Sequence, residues 1–175
     1  MYILLFRGVG GATQLPVARL RTALARAGFD DVTTYINSGN AVVRSALARE
    51  QVVETVAGVC KKEFGFEKAI FALTAKEWSD VIRKNPFPEA TDKPKWLHAA
   101  VLASKPAAGA VEALRGIGET SGDRIAVVGK VAYLHTPRGF GTSKLAEKFD
   151  KRIGVTNTAR NWNTVLNLMK LAERS

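Results

Sequence analysis

Short apolar runs and helically spaced apolar stripes alternate along the first 73 residues. The runs that have the length of strands are residues 2–6, 32–36, 41–44 and 69–73. Two stripes with a spacing of three and four residues predict helices after the first and third runs, and Gly28 and Gly65 end them. The resulting order, β-α-β-β-α-β, is that of the ferredoxin-like split unit.

The pattern restarts after a short linking segment. Thr74 and Glu77 have the spacing of a capping box and predict a helix that stops before Pro86. Further apolar runs cover residues 96–102, 124–128 and 131–134, with helical patterns over 111–117 and from Ser143 onward. A last helix through Trp162 is predicted where the sixth element of the unit, a strand, would fall.

The repeated order predicts an α+β fold of two intertwined ferredoxin-like halves with a C-terminal helix. The first half is expected to cover residues 1–73, a connecting helix and loop 74–95, and the second half 96–175. Apolar residues at successive positions, such as Val127, Val128, Val131 and Ala132, are typical of strands buried on both faces. We therefore expect the two sheets to pack together.

Composition narrows the class of protein. Apolar residues make up 46% and charged residues 24% of the 175 positions, which is typical of a globular protein. Neither a membrane-spanning run nor a signal peptide is evident, and the single cysteine, Cys60, excludes an internal disulfide. A cytoplasmic protein without membrane association is the expectation.

The charge is strongly basic, with 26 Lys and Arg against 16 Asp and Glu, a net charge of +10. Residues 138–175 alone hold eight Lys or Arg and three Asp or Glu. A basic surface attracts nucleic acid or phosphorylated metabolites.

A glycine loop follows the first strand. Gly8, Gly10 and Gly11, preceded by Arg7, lie between a strand and a helix, where backbone N–H groups can hold an anion. Thr13 replaces the last glycine of a dinucleotide fingerprint, so that motif is excluded. A tight strand-to-helix turn is the competing interpretation.

The turn Asn37-Ser38-Gly39-Asn40 joins the second and third strands. Its composition suits a plain hairpin turn, and its amides and hydroxyl also suit ligand recognition; both interpretations stay open. Because the first two strands of the unit run parallel, their carboxyl ends share one edge of the sheet. The glycine loop and this turn should therefore be neighbours.

Two further polar segments lie near the C-terminus. Gly139, Gly141, Ser143 and Lys144 again join a strand to a helix, with a hydroxyl at the cap and a lysine in the first turn. That lysine opposes the helix dipole unless an anion is near, although a solvated lysine face is the usual explanation. The second segment, residues 160–164, is predicted to begin the last helix, whose polar face would carry Arg160, Asn163, Thr164 and Asn167.

The remaining chemistry-bearing residues point to no reaction. His98 and His135 stand alone in predicted strands, so neither a metal site nor a cofactor is predicted. Cys60 lies on an apolar stripe and is expected to be inert. No acid–base pair is evident, and whether the protein is an enzyme is left open.

Six stretches carry a family resemblance: FRGVGG, YINSGN, EFGF, NPF, PRGFGTSKL and TARNWNTV. Through them the chain resembles the bacterial family catalogued as domain of unknown function 1697. The resemblance implies two intertwined α+β subdomains. The family pattern marks Arg7, Gly8, Gly10, Gly11, Ser38, Gly39, Asn40, Gly139, Gly141, Ser143, Lys144, Arg160, Asn161, Trp162 and Asn163. In the first loop the family usually carries an asparagine and a lysine that are missing here, where Arg7-Gly8 leads directly to Val9.

These observations favour a protein that recognises an anionic ligand, a phosphorylated small molecule or a nucleotide, in one electropositive pocket. The expected ligand-binding residues are Arg7, Gly8, Gly10, Gly11, Asn37, Ser38, Gly39, Asn40, Gly139, Gly141, Ser143, Lys144, Arg160, Asn161 and Asn163. The alternative is a nucleic-acid-binding module that uses the basic C-terminal surface without sequence preference. The oligomeric state is not predicted.

Overall fold

The computed structural model describes residues 1–11 and 13–174. Its strands are β1 Tyr2–Phe6, β2 Asp30–Thr34, β3 Asn40–Arg44, β4 Ile70–Thr74, β5 Leu97–Leu102, β6 Arg124–Val128, β7 Val131–His135 and β8 Asn157–Asn161. Its α-helices are α1 Val17–Arg26, α2 Arg49–Phe64, α3 Ala75–Arg83, α4 Ala108–Glu119, α5 Lys144–Arg152 and α6 Trp162–Arg174. A 3-10 helix covers Pro88–Asp92.

The first sheet has the strand order β2-β3-β1-β4, and every neighbouring pair is antiparallel. Since β1 and β2 both run opposite to β3, they are parallel to each other and end at the same edge. Helices α1 and α2 cover one face of the sheet. The buried residues of this core include Leu4, Phe6, Leu20, Leu24, Ala41, Val43, Val52, Val56 and Cys60.

The second sheet repeats the first, with the order β6-β7-β5-β8 and antiparallel neighbours throughout. Helices α4 and α5 cover one face of it. The buried residues of this core include Ala100, Leu102, Leu114, Ile125, Ala132, Leu134, Leu145 and Phe149. The two sheets and the C-terminal helix confirm the predicted α+β class and are consistent with two ferredoxin-like halves.

Strand β8 corrects the sequence prediction. Residues 157–161 were expected to lead into the last helix, whereas they form the sixth element of the second unit and pair with β5 along its length. Arg160 therefore lies in a strand, and α6 begins only at Trp162. The predicted polar face of that helix is also wrong at Thr164, which is buried.

The capping box forms as predicted, because the backbone N–H of Thr74 donates to Glu77 Oε2 at 2.8 Å and the backbone N–H of Glu77 donates to Thr74 Oγ1 at 3.2 Å.

Strand β2 begins and ends two residues earlier than expected, and its pairing with β3 shifts between Asp30 and Thr33. None of the described helices is both long and apolar enough to cross a lipid bilayer.

The chain divides into two compact units. The first unit comprises residues from Met1 to Asp80 together with the C-terminal segment from Asn167, and the second comprises Val81–Leu166. Each unit contains one complete sheet with the two helices that cover it, so each positions its own share of the candidate site residues.

Candidate functional site

The glycine loop and the Asn-Ser-Gly-Asn turn are neighbours, as the topology predicted. The backbone N–H of Phe6, the last residue of β1, donates to the carbonyl oxygen of Gly39 at 2.9 Å. Gly39 has a φ of +74°, and a Cβ atom on it would lie only 2.7 Å from Val9 Cγ2. The loop after β1 and the turn after β2 therefore touch at one edge of the first sheet.

Within this turn, Asn40 has a structural role. Its side chain is buried, and its Nδ2 atom donates to the carbonyl oxygen of Tyr35 at 3.2 Å and to Ser38 Oγ at 3.0 Å. The amide thereby closes the turn on itself, as a hairpin requires. Asn37 is exposed and Ser38 is half-buried, so these two residues remain accessible at the tip.

The glycine loop is closed by a pair of reciprocal backbone hydrogen bonds. The N–H of Gly10 donates to Thr13 O at 2.7 Å, and the N–H of Thr13 donates to Gly10 O at 3.1 Å. Gly8, Gly10 and Gly11 all have positive φ angles, and each is exposed. The N–H groups of Gly8, Val9 and Gly11 donate to no acceptor in residues 1–11 and 13–174.

A lysine that the sequence analysis did not single out reaches this loop. Lys68 Nζ donates to the carbonyl oxygen of Gly8 at 3.1 Å and to Thr13 Oγ1 at 3.2 Å. Lys68 lies two residues before the start of β4. Beside it, the backbone N–H of Arg7 donates to Ala69 O at 3.0 Å, which continues the pairing of β1 with β4. The glycine loop therefore holds an ammonium group supplied by a distant segment of the chain.

In the second unit, the two C-terminal motifs meet at one edge of the sheet. The start of β5 pairs there with the ends of β7 and β8, since His98 lies opposite both Leu134 and Asn161. The His98 ring also stacks on Phe140, with ring centroids 3.8 Å apart and planes inclined by 22°. The loop that contains Gly139 and the strand that contains Arg160 are thus brought together.

Ser143 caps helix α5. Its Oγ atom accepts a hydrogen bond from the backbone N–H of Ala146 at 3.0 Å and donates one to Asp123 Oδ2 at 2.7 Å. Ser121 Oγ donates to the same Asp123 oxygen at 2.8 Å. Ser143 and Asp123 are both buried, and the Ser143 hydroxyl stabilises the helix start from the cap position that the sequence predicted.

Lys144 is exposed at the first position of α5, and its Nζ atom lies 3.0 Å from Glu147 Oε2. The carboxylate therefore offsets the unfavourable placement of a lysine beside the positive end of the helix. The Lys144 ammonium also holds the pKa of the Glu147 carboxyl below its usual range. Gly139 is half-buried and Gly141 exposed in the same loop.

Arg160 is buried in strand β8. Its Nη1 atom donates to Thr158 Oγ1 and to the carbonyl oxygen of Ala159, both at 2.7 Å. Burial lowers the pKa of its guanidinium to about 10. Next to it, Asn161 caps α6, because its Oδ1 atom accepts the backbone N–H of Thr164 at 2.9 Å, while Asn163 is exposed.

His98 has an unusual environment for a titratable group. Its Nδ1 atom is buried without a hydrogen-bond partner in the described residues, and burial lowers the pKa of its imidazole to about 4. The ring is therefore neutral near pH 7. Cys60, in contrast, is the inert core residue that its apolar stripe predicted: burial raises the pKa of its thiol to about 12.

The predicted site residues fall into two groups. The first unit brings together the glycine loop and the Asn-Ser-Gly-Asn turn, and the second unit brings together the loop from Gly139 to Lys144 and the segment from Arg160 to Asn163. A single pocket that combines both groups stays a prediction. Sequence reasoning missed Lys68 and Asp123, because their contacts connect positions far apart in the chain and neither residue belongs to a local motif.

Comparison with known proteins supports the fold described above. A solved structure of a conserved bacterial protein, SP0830 from Streptococcus pneumoniae, is similar to this chain with a TM-score of 0.66 and 19% sequence identity, over 98% of this chain and 97% of that one. At that identity the similarity shows the fold alone. No curated protein matches the sequence. The family described as "Protein of unknown function (DUF1697)" matches residues 1–133, which include the glycine loop and the Asn-Ser-Gly-Asn turn. The chain belongs to this DUF1697 family of proteins of unknown function.

Proposed function

We propose that this protein recognises an anionic ligand, a phosphorylated small molecule or a nucleotide, and that the glycine loop of the first unit holds the anion. The observation that carries the proposal is the position of Lys68 Nζ, which is bonded to Gly8 O and Thr13 Oγ1. In the same loop, the N–H groups of Gly8, Val9 and Gly11 are unused by the described residues.

The chemistry of this loop suits a phosphate group. Successive backbone N–H groups around residues with positive φ form concave anion-binding surfaces, and a lysine ammonium adds a full charge with three donors. Two of the three Lys68 donors are used within the loop, which leaves one for a ligand. Helix α1 starts shortly after the loop and has no acidic residue in its first turn, so its dipole also favours negative charge.

The loop of the second unit supports anion binding less well. Its serine hydroxyl is used by Ala146 and Asp123, and its lysine already has a carboxylate neighbour in Glu147. We therefore assign the anion to the first unit and regard the second loop as a local helix cap with a solvated lysine.

A ligand panel with charge-neutral variants tests the proposal. Thermal shift and calorimetry are measured with inorganic phosphate, adenine nucleotides and sugar phosphates against the wild type, Lys68→Gln and Lys62→Gln. The second variant removes the same charge from an exposed site on α2 of the same unit. A charged hydrogen bond contributes about 1.5–3 kcal/mol, so Lys68→Gln should weaken binding roughly 10- to 100-fold while Lys62→Gln leaves it nearly unchanged.

Two results would reject the proposal. If no member of the panel raises the melting temperature of the wild type at millimolar concentration, the protein does not have the stated function. If a ligand binds equally well to the wild type and to Lys68→Gln, the anion lies elsewhere and the glycine loop is only a strand-to-helix turn.

A further inference from the structure

Two β-turns of the second unit share one pattern, a proline followed by a basic residue. The first turn, Lys93-Pro94-Lys95-Trp96, is closed by the N–H of Trp96 donating to Lys93 O at 2.9 Å. The second turn, Thr136-Pro137-Arg138-Gly139, is closed by the N–H of Gly139 donating to Thr136 O at 2.9 Å. Proline at the second position fixes its own φ angle, so both turns are conformationally restricted. We call these two segments, 93–96 and 136–139, the proline turns.

The proline turns are bonded to each other. The carbonyl oxygen of Trp96 accepts the backbone N–H of Thr136 at 2.8 Å and the Oγ1 hydroxyl of Thr136 at 3.3 Å. On the other side, the backbone N–H of Trp162 donates to Pro94 O at 3.2 Å. Because Thr136 is fully buried, this junction forms part of the folded unit, and the two turns are held side by side.

The proline turns present an aromatic ring among cations. Trp96 is partly exposed, whereas the other two tryptophans, Trp78 and Trp162, are buried. Lys93 Nζ lies over one face of the Trp96 ring, 4.3 Å from its centroid. Lys95 and Arg138 occupy the third position of their turns, and both are exposed.

These cations are not neutralised locally. Within residues 1–11 and 13–174, neither Lys93, Lys95 nor Arg138 forms an ion pair. The adjacent acidic residue in sequence, Asp92, is exposed, and Glu89 is already paired with Arg124. The proline turns therefore carry an excess of positive charge beside an accessible ring.

We propose that the proline turns form a binding surface for single-stranded nucleic acid. An unpaired base has a free π face that stacks on a tryptophan, here in place of the Lys93 ammonium that lies over the ring. The displaced Lys93 and the neighbouring cations then contact the adjoining phosphates. A duplex is a poorer partner, because its bases are stacked internally and have no free face for the tryptophan. A small phosphorylated ligand would use the cations but not the ring.

This inference is independent of the glycine loop. The proposed surface shares only Arg138 and Gly139 with the basic C-terminal segment, residues 138–175, that the charge distribution indicated. The contacts involve the charged phosphates of the nucleic acid and the aromatic faces of its bases, and neither distinguishes one base sequence from another. Binding should consequently be tolerant of sequence and strongly weakened by salt.

Tryptophan fluorescence provides a direct test, because Trp96 is the accessible one of the three indoles. The intact chain is titrated at low salt with an oligothymidylate of about 12 nucleotides, within the range of known single-strand sites. Saturable quenching is expected with the oligonucleotide and not with inorganic polyphosphate, which has the charge but no bases.

Variants locate the site independently of the fluorescence signal. Affinity is measured by anisotropy of a labelled oligothymidylate for Trp96→Leu, Trp96→Phe, Arg138→Gln and Lys130→Gln. Loss of a stacked base should weaken binding of Trp96→Leu about 5- to 100-fold, and the retained ring of Trp96→Phe should restore part of it. Arg138→Gln should reduce the slope of log affinity against log salt by about 0.7.

Lys130→Gln is the matched control, because it removes one charge at the opposite end of β7, where Lys130 O accepts the N–H of Leu102. Five residues at about 3.4 Å each place it roughly 17 Å from the proline turns. Absence of binding at low salt, binding without quenching, or equal losses for Lys130→Gln and Arg138→Gln would each overturn the proposal. Melting curves of the variants verify that each is folded.

Discussion

At the scale of single residues, Gly39 shows how closely the glycine loop and the turn approach each other. A Cβ atom at this position would lie 2.7 Å from Val9 Cγ2 and 3.0 Å from the carbonyl oxygen of Phe6. Backbone oxygen at that distance cannot move aside without displacing β1. The position therefore combines two separate demands for glycine, a positive φ and the absence of a side chain.

Substitution of Gly39 by alanine should be markedly destabilising. Gly122 is the matched control, because it has the same φ of +74° but nothing within 4 Å of a Cβ atom. Both variants incur about 1 kcal/mol for the left-handed conformation, and Gly39→Ala adds roughly 1–3 kcal/mol for the close contacts. Urea denaturation measures the difference. Equal free energies of unfolding for the two variants would contradict the packing described here.

Lys68 illustrates what residue patterns leave out. The sequence shows a glycine loop, residues 7–14, that contains no lysine of its own. The missing charge is provided from 60 positions away, by a side chain that reaches Gly8 O across the end of the sheet. Such a contact depends on the register of β1 with β4, and no local spacing encodes it.

At the scale of elements, the start of α5 depends on a small buried hydrogen-bond network. Ser143→Ala should remove the cap of the helix and one of the two hydroxyl donors to Asp123. The expected loss is about 2–4 kcal/mol of unfolding free energy, since a cap contributes about 1 kcal/mol and a buried acceptor that loses a donor about 1–3 kcal/mol.

Two variants separate these contributions. Ser121→Ala removes the other donor to Asp123 but no helix cap, so it should cost about 1 kcal/mol less than Ser143→Ala. Ser143→Thr retains the hydroxyl and should restore most of the stability. The midpoints of urea unfolding provide the comparison, and a Ser143→Ala protein as stable as the wild type would disprove the capping role.

Most elements could be predicted because their apolar periodicity is local, whereas β8 could not. Its sequence, Asn157-Thr158-Ala159-Arg160-Asn161, is polar and runs directly into the apolar stripe of α6. What makes it a strand is backbone pairing with β5, more than 50 positions earlier in the chain. The same dependence on distant pairing explains the error at Arg160. The sequence predicted it on the polar face of a helix, whereas in β8 it is buried.

At the scale of the whole molecule, the repeated topology determines which motifs meet. In each unit the first strand, β1 or β5, lies between two other strands of its sheet. The loops at the ends of those strands therefore lie near one end or the other of β1 or β5. In the first unit this brings the loop after β1 to the turn after β2, as the sequence order alone predicted. In the second unit it brings the end of β7 and the end of β8 to the start of β5, an arrangement that requires β8 to be a strand.

Global stability should depend on pH through His98. Burial lowers the pKa of its imidazole from the ordinary 6.5 to about 4, so the unfolded chain binds this proton more readily than the folded protein. Its contribution is fully present above pH 6.5 and is lost as the pH falls toward 4. Between about pH 7.5 and pH 5 the expected loss is about 2 kcal/mol. His135 acts in the same direction, because burial and the nearby Arg124 lower its pKa.

Urea denaturation at several pH values between about 7.5 and 5 tests this expectation with His98→Phe, which retains a ring against Phe140 but cannot be protonated. The interval lies above the ordinary pKa of carboxyl groups, so changes in Glu77 and Glu147 contribute little. The wild type should lose about 2 kcal/mol more than the variant over this range. If both proteins lose the same free energy, His98 is protonated in the folded state, and its Nδ1 atom must have a partner that stabilises the charge. The description of the His98 ring as neutral, with no partner for Nδ1 among the described residues, would then be wrong.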